Sequence, residues 1–451
     1  MDKKTSPLYN GTISPDIDWA SSELPIGQRR LSYGVLEKSL TFAGGFVGSM
    51  ALTFPMNLLL SRFGAHKVMT VVGAISTILC AIAPVVMCWS FPAFVILRGI
   101  TISNTFPVAG AIVNDWASTH ERGTFVAVLS AWTELSALFT MPVSGAVATS
   151  VGWDINFYIH AAILGGLTIL WALYFRNSPS GHPFVARKEY QKITFGKPPK
   201  SGKLVNPVRR IFRSLVIWAV WIAVIGNFLV SQFTISYSPL YLSYTLGFPI
   251  TTAGVLTIAP MGGLLAVKMF TGLASDKLTC IPEVAKIRIF NTVALLGSGM
   301  FFILLTMICP TGNAGDVILI IIPVALLGFS SGGYSKCAVL VSRQYSPFVM
   351  SIVQIVACLS LLVGSFVVPA ITKDDTFDQW RTVFLIYALV LTFSNTIFIA
   401  FASAEPAKWT MQPLSATVAP AEEPKEAANG VKSDKIIPPP QHKDEIVVEQ
   451  A

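Results

Sequence analysis

Charge is what this chain has least of. Asp, Glu, Lys and Arg together make up 12% of its 451 residues, where a soluble domain carries roughly 25%. Met69–Trp89, Ile155–Phe175, Leu215–Pro239, Phe290–Pro310, Phe348–Thr372 and Val383–Ser403 contain none at all. Cysteine is nearly as uninformative. The six thiols (Cys80, Cys88, Cys280, Cys309, Cys337, Cys358) show no CxxC spacing, so neither a disulfide framework nor a metal site is expected. His66, His120, His160, His182 and His442 are scattered without ligand spacing. P-loop, HExxH, GxSxG and paired-carboxylate patterns are also missing, which excludes ATP-driven pumping and hydrolysis by those devices. Met1–Tyr33 holds no apolar run long enough for a cleavable signal peptide.

What remains is apolar, and it comes in lengths that fit lipid. Eleven stretches each approach the roughly 20 residues a helix needs to cross a hydrocarbon core. Lipid offers backbone groups no partner, so they must be helices. The expected spans are 38–60, 68–89, 92–114, 124–149, 155–176, 214–236, 249–271, 289–310, 315–336, 347–372 and 382–404. The fold class is therefore an all-α membrane protein with the bilayer as its first partner.

Positive charge is concentrated in one place. Between Arg176 and Arg213 lie ten Lys or Arg and one acid, Glu189. That is +9, the whole of the chain's excess of +8 and slightly more. Flanked by charge-free helices, the run reads as a cytoplasmic loop under the positive-inside rule, and no nucleic-acid partner is implied. The odd number of spans then puts the two ends on opposite sides of the membrane. The N-terminal segment 1–37 is expected outside, where Asn10-Gly11-Thr12 forms a glycosylation sequon. Bundles 38–176 (five spans) and 214–404 (six) flank loop 177–213. Segment 405–451, rich in Pro, Glu and Lys, reads as a disordered cytoplasmic tail.

The two halves echo one another. Ser61-Arg62-Phe63-Gly64-Ala65-His66-Lys67 joins the first and second spans, and Ala274-Ser275-Asp276-Lys277-Leu278 joins the seventh and eighth. A short polar loop recurring once per half is what parallel repeats give. Ser61, Arg62, Gly64, Asp276 and Lys277 are accordingly candidate gating-loop residues.

These pieces resemble the major facilitator superfamily. Others narrow the likeness to the solute carrier family 17 group, the sialin, vesicular glutamate and sodium–phosphate transporters. They are Ile17-Asp18-Trp19, Glu121-Arg122-Gly123, Met141-Pro142 with Gly145, and Gly152-Trp153 with Phe157-Tyr158. Ser178-Pro179, His182-Pro183, Pro239 with Tyr241, Gln379-Trp380 and Phe401–Glu405 continue the series, from about residue 16 to 410. The resemblance implies two rocking helical bundles around a central site and ion-coupled transport of a small organic or inorganic anion. It also implies a helix ahead of Asp18. Its absence fits either an eleven-span protein or an incomplete gene product. The second is the expectation, because an unpaired half-repeat leaves a gap in the bundle wall. The group's site charges fall on Phe42, Val95, Ile102 and Val230, so they are not carried over. A transport-inactive sensor or accessory subunit is the rival reading.

A charge at mid-bilayer costs roughly 2.5–3.5 kcal/mol, so each remaining one is a candidate. Glu134 stands about 15 Å from its helix start, at the midplane. It reads either as a coupling carboxylate for H+ or Na+ or as the structural partner of Arg98. Arg98 reads as the substrate's cation or as a snorkelling side chain. Lys268 and Lys336, near helix ends, are expected to snorkel, with Lys336 retained as a candidate beside Tyr334. Asn227, with Gln232 and Tyr237, forms a polar stripe that either lines a cavity or bonds a neighbouring helix. No resident cofactor is expected. The working unit is expected to be a monomer, in the plasma membrane or an endolysosomal or vesicle membrane.

Overall fold

A computed structural model describes residues 35–87, 99, 101–118, 120–195, 197, 207–248, 255–308, 314–372 and 376–410. Asn10 and Arg98 lie outside these residues. Every regular element among them is helical. Among the described residues, eight helices are long and apolar enough to cross a membrane, and two of these, Gly44–Val86 and Gly315–Ile371, each cover two expected spans.

Helix α1 (Val35–Met87) is two spans joined at Gly64, whose φ of 79° is open to glycine without strain. A Cβ there would also strike the Asn177 side chain. Next come α2 (Thr105–Trp116), α3 (Arg122–Ser130), α4 (Trp132–Ser150) and α5 (Trp153–Tyr174). Beyond the basic loop run α6 (Leu215–Gln232), α7 (Ile258–Lys277), α8 (Glu283–Thr292), α9 (Ser298–Met307) and α10 (Ala314–Leu326). The series closes with α11 (Tyr334–Ser342), α12 (Ser346–Ile371) and α13 (Phe377–Phe401). Below, the end of the molecule carrying loop 177–213 is called the basic end.

Several boundaries depart from the sequence reading, each for a physical reason. Ser61 and Arg62 are helical residues of α1, and Asp276 and Lys277 form the last turn of α7. The turns themselves sit at Gly64 and after Lys277, so the expected gating loops are mostly helix ends. The ninth span does not stop at 336. A Gly332-Gly333 break interrupts it, and α11 carries it to Ser342. The expected tail begins later than 405, because Trp409 packs on Tyr345 with ring centroids 5.6 Å apart and Gln344 Nε2 donates to the Thr410 carbonyl.

The second half has one continuous core, in which Phe233 meets Phe302, Trp380, Phe384 and Tyr387 edge to face. The two halves meet along two seams. One is α1 and α2 against α12; the other is α3 and α4 against α7.

Candidate functional site

Between the halves lies a cavity of about 590 Å³, large enough for a small organic solute. Phe46, Ile102 and Trp132 of the first half and Phe228, Leu264 and Leu327 of the second give it apolar walls. The polar lining is sparse: Glu134, Asn227, Gln232, Lys268, Tyr334 and Gln354 are its principal groups.

Its dominant feature is an ion pair. Lys268 Nζ on α7 donates to Glu134 Oε2 on α4 at 2.8 Å and to the Ser130 carbonyl at 3.1 Å. Glu134 and Lys268 are 4% and 8% exposed, so both charges are withdrawn from water and each depends on the other. Local structure places them there. Ala131 breaks the fourth span between α3 and α4, which puts Glu134 in the first turn of a new helix. The same break leaves the Ser130 carbonyl near the end of α3, open to the lysine.

Glu134 is paired with Lys268, and Arg98, the partner expected for it, lies outside the described residues. The expectation for Lys268 is corrected. Lys268 does not snorkel. Because α7 runs to Lys277, Lys268 lies nine residues inside its end, about 13 Å by helical rise. The expected span end at 271 hid that depth. Lys336 does not snorkel either. It is buried and reaches Asp276 Oδ1 at 3.1 Å, Glu283 Oε2 at 3.2 Å and Ser275 Oγ at 2.9 Å. It therefore serves a cluster at the basic end, while its neighbour Tyr334 does line the cavity.

Asn227 and Gln232 line the cavity, one of the two readings left open for the stripe, and the Asn227 Oδ1 is buried with no donor. Gln232 donates to Ser236 and Ser365, whereas Tyr237 donates to the Ser365 carbonyl and leaves the lining. Ile102 forms apolar cavity wall, and Val230 is buried in the second-half core.

Below the cavity, the basic end is closed by backbone capping across the seam. Asp276 accepts from the Gly123 and Thr124 N–H groups at 3.0 and 2.6 Å, satisfying two orphan donors at the start of α3. Glycine makes the approach feasible: a Cβ on Gly123 would lie 2.6 Å from Asp276 Oδ1, and one on Gly272 would lie 2.5 Å from the Ala127 Cβ. Lys336 thus bridges Asp276 and Glu283, and Glu283 takes a second lysine, Lys286. Arg62, by contrast, stacks over the Phe63 ring at 5.5 Å, and Ser61 donates to its own helix at Leu58.

Two bundles packed along paired seams around a central cavity, with residues 18–341 matching the Major Facilitator Superfamily, decide the family. The chain belongs to the major facilitator superfamily. It is a multi-pass integral membrane transporter. Human sialin is 25% identical over 376 residues, covering 81% of this chain and 75% of sialin. The mouse sodium-dependent phosphate transport protein 3 is 22% identical over 387 residues, covering 84% and 80%. Bovine vesicular glutamate transporter 1 is 26% identical over 322 residues, covering 70% of this chain and 57% of the transporter. These relatives are transporters, not enzymes. Among solved structures, the proton:xylose symporter XylE superposes with a TM-score of 0.62 at 14% identity, covering 81% of this chain and 86% of the symporter. The human organic anion transporter MFSD10 gives 0.57 at 15%, covering 80% and 83%. Both show the superfamily fold.

Proposed function

We propose that this superfamily transporter carries a small anionic solute by alternating access and couples it to H+ or Na+ at Glu134. The observation that carries the reading is the Lys268–Glu134 pair, which joins the two halves at the cavity wall. While Glu134 is ionised, it occupies the ammonium of Lys268. A proton, or a sodium ion on the carboxylate, removes that partner. Lys268 is then a buried cation in want of an anion, and a substrate carboxylate or phosphate in the cavity supplies one. The charge shift also loosens the α4–α7 seam, which has to part when the basic end opens. Relatives whose names refer to glutamate, phosphate and organic anions support this substrate class.

The test is uptake by the purified protein in proteoliposomes under an imposed proton or sodium gradient, across a panel of carboxylates and phosphates. Glu134→Gln is expected to abolish the gradient dependence, and Lys268→Met to abolish anion uptake. Flux with unchanged gradient dependence in Glu134→Gln removes the coupling role. No flux with any anion favours the accessory-subunit reading, to which the apolar Ile102 in the cavity wall lends some weight.

A further inference from the structure

At the basic end, away from the cavity, two arginines lie within electrostatic range of each other, and neither is in an ion pair among the described residues. Arg122 opens α3, and Arg343 follows the last residue of α11. The register of these antiparallel helices sets the encounter. Val126 and Val339 share one small core cluster. One helical turn back along α3 is Arg122, and one turn forward along α11 is Arg343. The two guanidinium groups are accordingly close enough to act on one another electrostatically.

Arg122 is only 7% exposed, and its Nε is buried with no acceptor. Carboxylates are not scarce nearby, but they are committed elsewhere: Glu121 to Lys192 and Ser118, Asp276 and Glu283 to Lys336 and Lys286. Among the described residues, no ion pair includes Arg122 or Arg343. A buried guanidinium left unpaired costs several kcal/mol, and a second one beside it adds repulsion. Arg122 also sits at the positive end of the α3 dipole, the wrong end for a cation. Arg343 holds φ at +41°, a left-handed conformation a non-glycine side chain rarely adopts, so its backbone is held in place against local preference.

We propose that Arg122 and Arg343 form an anion site for a phosphate group, seated across the boundary between the two halves at the basic end. Two forked guanidinium groups match the oxygens of one phosphate, and the bound dianion would cancel both unpaired charges. Because one arginine belongs to each half, such an anion ties the halves together and stabilises the closed basic end. It acts there as a regulator, distinct from any solute carried in the cavity. A free phosphate and the headgroup of an acidic phospholipid offer the same chemistry.

Thermal unfolding of the purified full-length protein in neutral-lipid nanodiscs tests this. Inorganic phosphate is titrated at constant ionic strength against chloride, and a parallel arm replaces it with nanodiscs containing phosphatidic acid. The expected result is a saturable rise in the unfolding temperature in at least one arm. Response to free phosphate identifies a soluble anion, and response to phosphatidic acid alone identifies the lipid. Arg343→Gln should weaken the apparent affinity at least about tenfold, the ratio carried by one lost charge-assisted hydrogen bond. Arg343→Glu should raise the unfolding temperature without phosphate, by pairing with Arg122, and erase the phosphate response. Because Arg343 is only half-buried, these variants are expected to fold even where Arg122→Gln does not. No rise in either arm, or a rise undiminished in Arg343→Gln and Arg343→Glu, overturns the proposal.

Discussion

The two seams between the halves are held by different chemistry. The α3–α4/α7 seam is charged at both depths: Asp276 caps α3 at the basic end, and Glu134 meets Lys268 beside the cavity. The α1/α12 seam is neutral at both. Phe54 meets Phe348 with ring centroids 6.3 Å apart near the basic end. Deeper in, Gln354 Nε2 and Cys358 Sγ approach Ser49 Oγ at 3.4 and 3.5 Å. Even the repeated motif differs, with exposed Ser61 near the position that Asp276 takes in the second half. A neutral seam can slide or part without changing its dependence on pH or cations. A charged one opens at a cost set by protons, cations and anions. Sensitivity to solutes is thus concentrated in one of two related contacts.

Breaking the charged seam at depth should have the largest effect. Lys268→Met leaves Glu134 buried and unpaired, and about 3–5 kcal/mol of stability should be lost, read by chemical or thermal unfolding in detergent. The double variant Lys268→Met/Glu134→Leu should recover most of that loss while remaining unable to transport, since an apolar pair replaces a buried ion pair at little cost. Recovery of flux by the double variant would show that the pair is only structural.

Asp276→Asn comes next. It keeps the shape and loses the charge at the α3 cap, for about 1.5–3 kcal/mol. A cysteine introduced at Ser335 in the cavity should then react faster with a membrane-impermeant reagent added at the basic end. Unchanged reactivity would mean that the cap does not hold that end closed. The neutral seam should respond less: Gln354→Leu is expected to cost about 1 kcal/mol and to leave the pH dependence of transport as it was. A shifted pH profile in that variant would erase the contrast between the seams.

The smallest effect belongs to Glu121 and Lys192, an ion pair at the surface of the charged seam. The hydrogen bond from Lys192, then that from Ser118, holds the Glu121 carboxyl below its ordinary value. Its stabilisation is complete above the ordinary glutamate value of about 4.3 and is lost as pH falls through the lower folded value. Both side chains are well exposed, so Glu121→Gln should cost under about 1 kcal/mol, seen as a shallower loss of stability with acid.

Much of the fold was legible because lipid simplifies the problem. A charge-free run of about 20 residues has essentially one structure open to it, and the expected spans lie on helices wherever both are described. The site was legible in part. Glu134 stood out because its depth follows from one helix start that Glu121-Arg122-Gly123 marks clearly. Its partner was misjudged because the end of α7 was placed six residues early, at 271 in place of 277, and the depth of Lys268 depends on that end. Lys336 was misjudged in the same way, since the ninth span was ended at 336 although the chain continues as α11 to Ser342.

The sequence alone settled the solvent, the helices and the family, because each follows from local runs of side chains and the order of short motifs. Which charges meet was decided only by packing. Glu134 and Lys268 are 134 residues apart, Arg122 and Arg343 lie in different halves, and no pattern along the chain encodes the register between them. Partners across a seam are chosen by how two finished bundles fit, a property of surfaces formed after the helices exist.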